Sequence, residues 1–86
     1  MPELSRVLGI VITMHYDDHA PPHFHVRYAG RKATLSIRPL EVLSGRLPPR
    51  VLGLVIEWAA KHSVELMDNW ERARRLAKLK RIAPLE

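Results

Sequence analysis

The hydrophobic repeat changes period once along this chain, and that change limits the folds open to it. Between Val7 and Arg38 apolar residues alternate with polar ones, whereas after Pro48 they recur at three- and four-residue steps. Alternation buries one face of a strand; the longer step buries one stripe of a helix. Strands first and helices second, within 86 residues, predict a single α+β domain over 1–86. The expected architecture is an antiparallel meander of three to four strands, with one or two C-terminal helices packed on one face.

The first strand is predicted over 7–16, where Ile10, Ile12, Met14 and Tyr16 share one face and Val11, Thr13 and His15 the other. Pro21 and Pro22 then end the sheet locally, because proline cannot join a hydrogen-bonded ladder. A second strand over 23–28 turns Phe24, Val26 and Tyr28 inward and His23, His25 and Arg27 outward. Ala29-Gly30-Arg31 makes a turn, and a strand over 32–38 returns with Ala33, Leu35 and Ile37 inward. A short edge strand is expected over 41–46. The apolar stripe Val51, Leu54, Val55, Trp58, Ala59, Leu66, Trp70 and Ala73 predicts helices over 49–62 and 64–77, with Ser63 as the second N-cap. A single bent helix is the alternative, although unbroken it would be about 42 Å long. Residues beyond Arg81 are expected to fray.

Absence of cysteine excludes a disulfide framework and a thiolate zinc site. The longest uncharged apolar run, Val7–Tyr16, is too short for a bilayer, which needs about 20 helical residues, and carries no cleavage signal. The expected location is therefore the cytoplasm, with no membrane contact. A net charge of +5 favours an anionic partner, either nucleic acid or an acidic protein. A core this small also leaves room for a partner or a second copy of the chain to complete it.

Three of the five histidines fall within Asp18-His19-Ala20-Pro21-Pro22-His23-Phe24-His25. On a strand, His23 and His25 project to the same side with Cα atoms about 6.5–7 Å apart. The proline-stiffened loop would hold His19 near them, and Asp18 could ligate an ion or orient a ring. Three readings follow. In the first, His19, His23 and His25 bind a divalent metal such as zinc. In the second, the imidazoles exchange protons with RNA during cleavage through its own 2′-hydroxyl, with Arg27 or Lys32 holding the phosphate; His23 and His25 are then catalytic, and His19 and Asp18 assist. In the third, the histidines only hydrogen-bond the loop, and Asp18 caps its turn. His15 reads as a half-exposed strand residue, and His62 as a helix-end cation.

Arg72, Arg74, Arg75 and Lys78 lie in a basic C-terminal run that is either a solvated helix end or, together with Lys32, a contact for nucleic-acid phosphates. Trp58 and Trp70 lie on the apolar stripe and read as core.

Ser5-Arg6 with Gly9-Ile10, the run Asp18-His19 to Pro21-Pro22-His23-Phe24-His25-Val26, and Tyr28 with Gly30 form a pattern. Leu47-Pro48, Glu57-Trp58-Ala59, Asn69-Trp70 and Ala73-Arg74 continue it. The pattern resembles the bacterial domain of unknown function 4160 family. That family carries no established activity, and its gene layout resembles type II toxin–antitoxin pairs. The resemblance implies one half of such a pair, with a small acidic protein from the neighbouring gene as partner. The leading functional expectation is the toxin, a ribonuclease working through the histidine cluster. The alternatives are the antitoxin, or a non-catalytic module that binds a metal or a partner.

Overall fold

Two tight turns organise the first half of the molecule. In the computed structural model, which describes residues 2–84, Leu8 and Gly9 have φ of +50° and +80°, and Ala29 and Gly30 have +47° and +79°. Two central residues at positive φ make a type I′ turn, whose twist matches that of the strands it joins. The turns close two hairpins, β1 (Glu3–Val7) with β2 (Ile10–Thr13) and β3 (His23–Tyr28) with β4 (Arg31–Ser36). β5 (Glu41–Gly45) completes an antiparallel sheet ordered β1-β2-β3-β4-β5.

The sheet thus has five strands, not three or four. The strand expected over 7–16 is divided, because Leu8 and Gly9 reverse the chain and Arg6 comes to lie opposite Val11. Leucine is an unusual first residue for such a turn, and Glu3–Arg6 holds a single strongly apolar side chain. That combination hid β1. Beyond Thr13 the chain leaves the sheet, so Met14, His15 and Tyr16 belong to the connection rather than to β2.

The helical half consists of α1 (Pro49–Lys61) and α2 (Ser63–Arg74), separated at His62, whose φ of −111° lies outside helical geometry. Ser63 does not cap α2; its Oγ instead accepts a hydrogen bond from Arg38 Nε at 3.0 Å. The helix stops short of residue 77 because Leu76 turns left-handed at φ +58°. The Ala77 N–H then bonds Arg72 O at 2.8 Å and the Leu76 N–H bonds Ala73 O at 3.1 Å. This is a Schellman closure formed without glycine.

Phe24, Val26 and Leu35 are fully buried and share one core with Trp58, Leu66 and Trp70. Each such side chain contributes about 1.5–3 kcal/mol of transfer free energy. The Phe24 and Trp58 rings meet edge to face at 6.2 Å, joining sheet to helix. Both helices cover the face bearing Phe24, Val26 and Leu35; on the opposite face Arg27 and Lys32 are exposed while Val11 and Thr13 are buried. Among the described residues no helix is long and apolar enough to cross a membrane.

Residues 82–84 do not fray, contrary to expectation, and 85–86 lie outside the described residues. Ile82 is buried, and its N–H bonds Leu4 O at 2.8 Å on β1, while Trp58 Nε1 donates to Ala83 O at 2.8 Å. Asn69, buried in α2, donates to Lys80 O at 2.9 Å and accepts from the Lys80 N–H at 2.8 Å. A buried side-chain amide has no apolar alternative, so this doubly bonded pair anchors the tail.

Candidate functional site

Alternation along β3 sends Phe24 and Val26 into the core and leaves His25 and Arg27 on the opposite face, whereas His23, expected to point outward, is buried against Trp70 of α2. Cross-strand pairing then builds two rows on that opposite face. Thr13 lies beside His25, His25 beside Thr34 and Thr34 beside Ser44, while Val11, Arg27 and Lys32 form the adjacent row. A cleft of about 400 Å³ lies over them, lined among others by Thr13, His15, His25, Arg27, Lys32 and Thr34. A second cleft of about 400 Å³ shares Arg27 and Lys32 and adds Arg6 and Arg31. This face therefore combines imidazole, hydroxyl and cationic groups.

Asp18 is the hub of the histidines. Its Oδ1 accepts the His19 backbone N–H at 2.8 Å. Its Oδ2 lies 2.9 Å from His23 Nε2, 3.6 Å from His25 Nε2 and 3.7 Å from His15 Nδ1. His23 is held at both ends, because its Nδ1 meets Pro21 O at 2.7 Å. A carbonyl and a carboxylate can only accept, so both bonds form together only when the ring carries both protons. The His23 ring also rests 5.1 Å from Trp70, which fixes it against α2. His15 stacks on His25 with centroids 3.9 Å apart and planes inclined by 15°.

His25 is the clustered imidazole with one ring nitrogen lacking a hydrogen bond. Its Nδ1 lies 3.3 Å from Thr34 Oγ1, and its buried Nε2 has no hydrogen-bond partner among the described residues. Thr13 Oγ1, in the same row, is likewise buried without a partner. Burial, followed by the neighbouring His15, holds the His25 ring below the ordinary histidine value despite the opposing pull of Asp18. It therefore favours the neutral form that a base or a ligand requires. Burial pushes the Asp18 carboxyl up, but the His19 N–H and the His23 ring outweigh it and bring the group below its ordinary value.

The structure gathers His23, His25 and Asp18 as expected from the sequence, but it brings in His15 where His19 was expected. His19 points outward, exposed, and joins the cluster through its backbone N–H alone. His15 was readable in principle, since Thr13 and His15 share the strand face that pairs with His25. Arg27 and Lys32 lie opposite each other across β3 and β4. Of the helical cations, Arg72 pairs with Asp68 at 2.8 Å and Arg74 approaches Glu71 at 3.8 Å, while Arg75 and Lys78 are exposed. This basic end borders the histidine loop, because the Asp17 N–H bonds Ala73 O at 3.2 Å. Arg6 and Arg31, which no sequence motif singled out, are the further cations of the face opposite the helices.

Residues 9–71 match the family model described as Domain of unknown function (DUF4160). The chain belongs to this family. The matched span contains the whole histidine cluster, Arg27, Lys32 and nearly all of both helices, whereas β1 and the tail bound to it lie outside. Searches of curated proteins and of solved structures returned no significant match.

Proposed function

We propose that the chain is the toxin of a two-gene pair and that it cleaves RNA across the sheet face opposite the helices. One observation carries this reading: His25, Arg27 and Lys32 line a single cleft of about 400 Å³, alongside the stacked ring of His15. A guanidinium and an ammonium side by side suit a phosphodiester. Imidazole beside it suits the chemistry RNA supplies from within. The 2′-oxygen bonds to phosphorus, the bond from phosphorus to the 5′-oxygen breaks, and a 2′,3′-cyclic phosphate results. The 2′-hydroxyl proton passes to a base in the histidine cluster, and the departing 5′-oxygen takes up a proton. His23, bonded at both ring nitrogens, holds Asp18 in place rather than meeting the substrate. The exposed cations of the α2 end, Arg75 and Lys78, extend the surface towards a longer strand. The same cationic face is what a small acidic partner would cover to silence the activity.

Inducible expression in growing bacteria tests the proposal. Wild type should arrest growth and fragment total RNA, while His25→Ala and Arg27→Ala should each relieve both effects. Equal growth and intact RNA in all three strains would overturn it.

A further inference from the structure

We propose that His15 Nδ1, Asp18 Oδ2 and His25 Nε2 together bind one late divalent metal ion, with zinc as the ion of best chemical fit. This deepens, and for its chemical consequence rests on, the reading of the cleft as a phosphodiester site.

One ligand atom from each of His15, Asp18 and His25 lies within 4.8 Å of the other two. The Asp18 oxygen is 3.6 Å from one imidazole nitrogen and 3.7 Å from the other, too far for good hydrogen bonds. In a tetrahedral zinc site with bonds of about 2.0–2.1 Å, neighbouring ligand atoms are about 3.3–3.4 Å apart. The distances to Asp18 are thus within a few tenths of an ångström of that spacing. The His15 and His25 rings, stacked at 3.9 Å with planes inclined by 15°, must splay apart for their lone pairs to converge on the ion. The donors are also the right kind, two imidazoles and a carboxylate, with no thiolate needed.

Lone pairs supply the second argument. His25 Nδ1 faces the Thr34 hydroxyl at 3.3 Å, and the tautomer that donates there leaves Nε2 bare. That nitrogen is buried, has no hydrogen-bond partner among the described residues and looks towards a carboxylate oxygen. In that tautomer two electron-rich atoms face each other, and a cation between them satisfies both; in the other, the Nε2 proton itself points at the carboxylate. The unpartnered, buried Thr13 Oγ1 lines the same cleft and offers a contact to a water on that ion.

The surroundings complete the pattern of a metal centre. Metal-bound histidines donate their second N–H to an oxygen, and metal-bound carboxylates are themselves hydrogen-bonded. Thr34 serves His25 in this way, and His23 serves Asp18 at 2.9 Å, itself fixed by Pro21 O. His23 is thus a positioning residue for the ion. Three protein ligands leave a fourth position, the arrangement of catalytic rather than structural zinc sites. His15 and His25 line the cleft shared with Arg27 and Lys32. With the ion bound these two rings would serve as ligands rather than as the base, and the ion would add its charge to the two cations on a phosphate.

Titration of the chelator-stripped full chain with zinc chloride, followed by calorimetry, tests the inference, with the visible spectrum of the cobalt(II) form as a second readout. One ion per chain and a tetrahedral cobalt spectrum are expected. Asp18→Asn, which keeps the bond from the His19 N–H, and His15→Ala should each abolish stoichiometric uptake while circular dichroism stays native. His23→Gln should weaken affinity by about 10–100-fold. His19→Ala should bind as wild type. No uptake, or uptake lost in His19→Ala but kept in His15→Ala, would overturn the ligand set. Because these readouts use no RNA, metal uptake without RNA cleavage sinks the functional reading alone. RNA cleavage that persists in chelator, with no metal uptake, sinks the metal site alone.

Discussion

Replacing Asn69 with alanine tests how the tail is held, and the structure sets the size of the effect. The wild-type amide makes two hydrogen bonds, at 2.9 and 2.8 Å, to the backbone of Lys80. A net 0.5–1.5 kcal/mol for each gives a loss of about 1–3 kcal/mol if the tail stays seated. If it lifts instead, Ile82 returns to water, and its burial alone is worth about 1.5–3 kcal/mol. The two routes overlap at about 1.5–3 kcal/mol. For a domain of this size each kcal/mol moves Tm by about 4–8 °C, so Asn69→Ala should lower Tm by about 6–24 °C. Asn69→Asp can still accept from the Lys80 N–H but cannot donate to Lys80 O, and should fall between. Thermal unfolding by circular dichroism measures the shift, and limited trypsinolysis after Lys80 and Arg81 reports whether the tail has lifted. A change below about 3 °C, with cleavage as slow as in wild type, would refute the clamp.

The remaining stability predictions follow from backbone geometry and burial. Leu8 is 82% exposed at φ +50°, so Leu8→Asn gives up little burial and relieves left-handed strain; it should raise Tm by about 2–8 °C in the same melting assay. Gly45 sits at φ +81°, and a Cβ there would lie 2.2 Å from Lys32 O and 2.8 Å from Ala33 Cα; Gly45→Ala should therefore cost more than about 10 °C and loosen β5, seen as faster amide exchange along it. The His25 ring titrates below the ordinary histidine value of about 6.5 when folded, so just below pH 6.5 the unfolded chain binds a proton that the native one does not. Stability in chelator should then fall as pH is lowered through that window, and His25→Asn should flatten the fall. Asp18, with its lowered carboxyl, loses its contribution only in more acidic solution, around and below about pH 4, which keeps the two effects apart.

The core was legible because burial obeys period. Phe24, Val26, Ala33, Leu35 and Ile37 took the inward face assigned by alternation, and Val51, Val55, Trp58, Ala59, Leu66, Trp70 and Ala73 formed the helical stripe. What escaped were features whose cause is not periodic. A leucine in a positive-φ turn sends no turn signal, so β1 went unread and the strand expected over 7–16 ran through the turn at Leu8 and Gly9. A buried asparagine bonding the backbone eleven residues downstream leaves no local mark, and the tail looked free. At the site, sequence proximity pointed to His19, yet its ring lies outside. The chain leaves β2 at Met14 and passes His15 over His25, so distance across the sheet decided what distance along the chain could not. From sequence His15 reads as a half-exposed strand residue, because alternation alone does not set the pairing of the first strand with the second.

Cleavage of an end-labelled RNA oligonucleotide by the purified chain, with and without added zinc, tests the central claim most directly. The account predicts fragments ending in 2′,3′-cyclic phosphate and no cleavage of the 2′-deoxy oligonucleotide of the same sequence. It also predicts a rate about 10²–10⁴ lower for His25→Ala, with native circular dichroism retained. Intact RNA under both conditions, or an undiminished rate in His25→Ala, would contradict it.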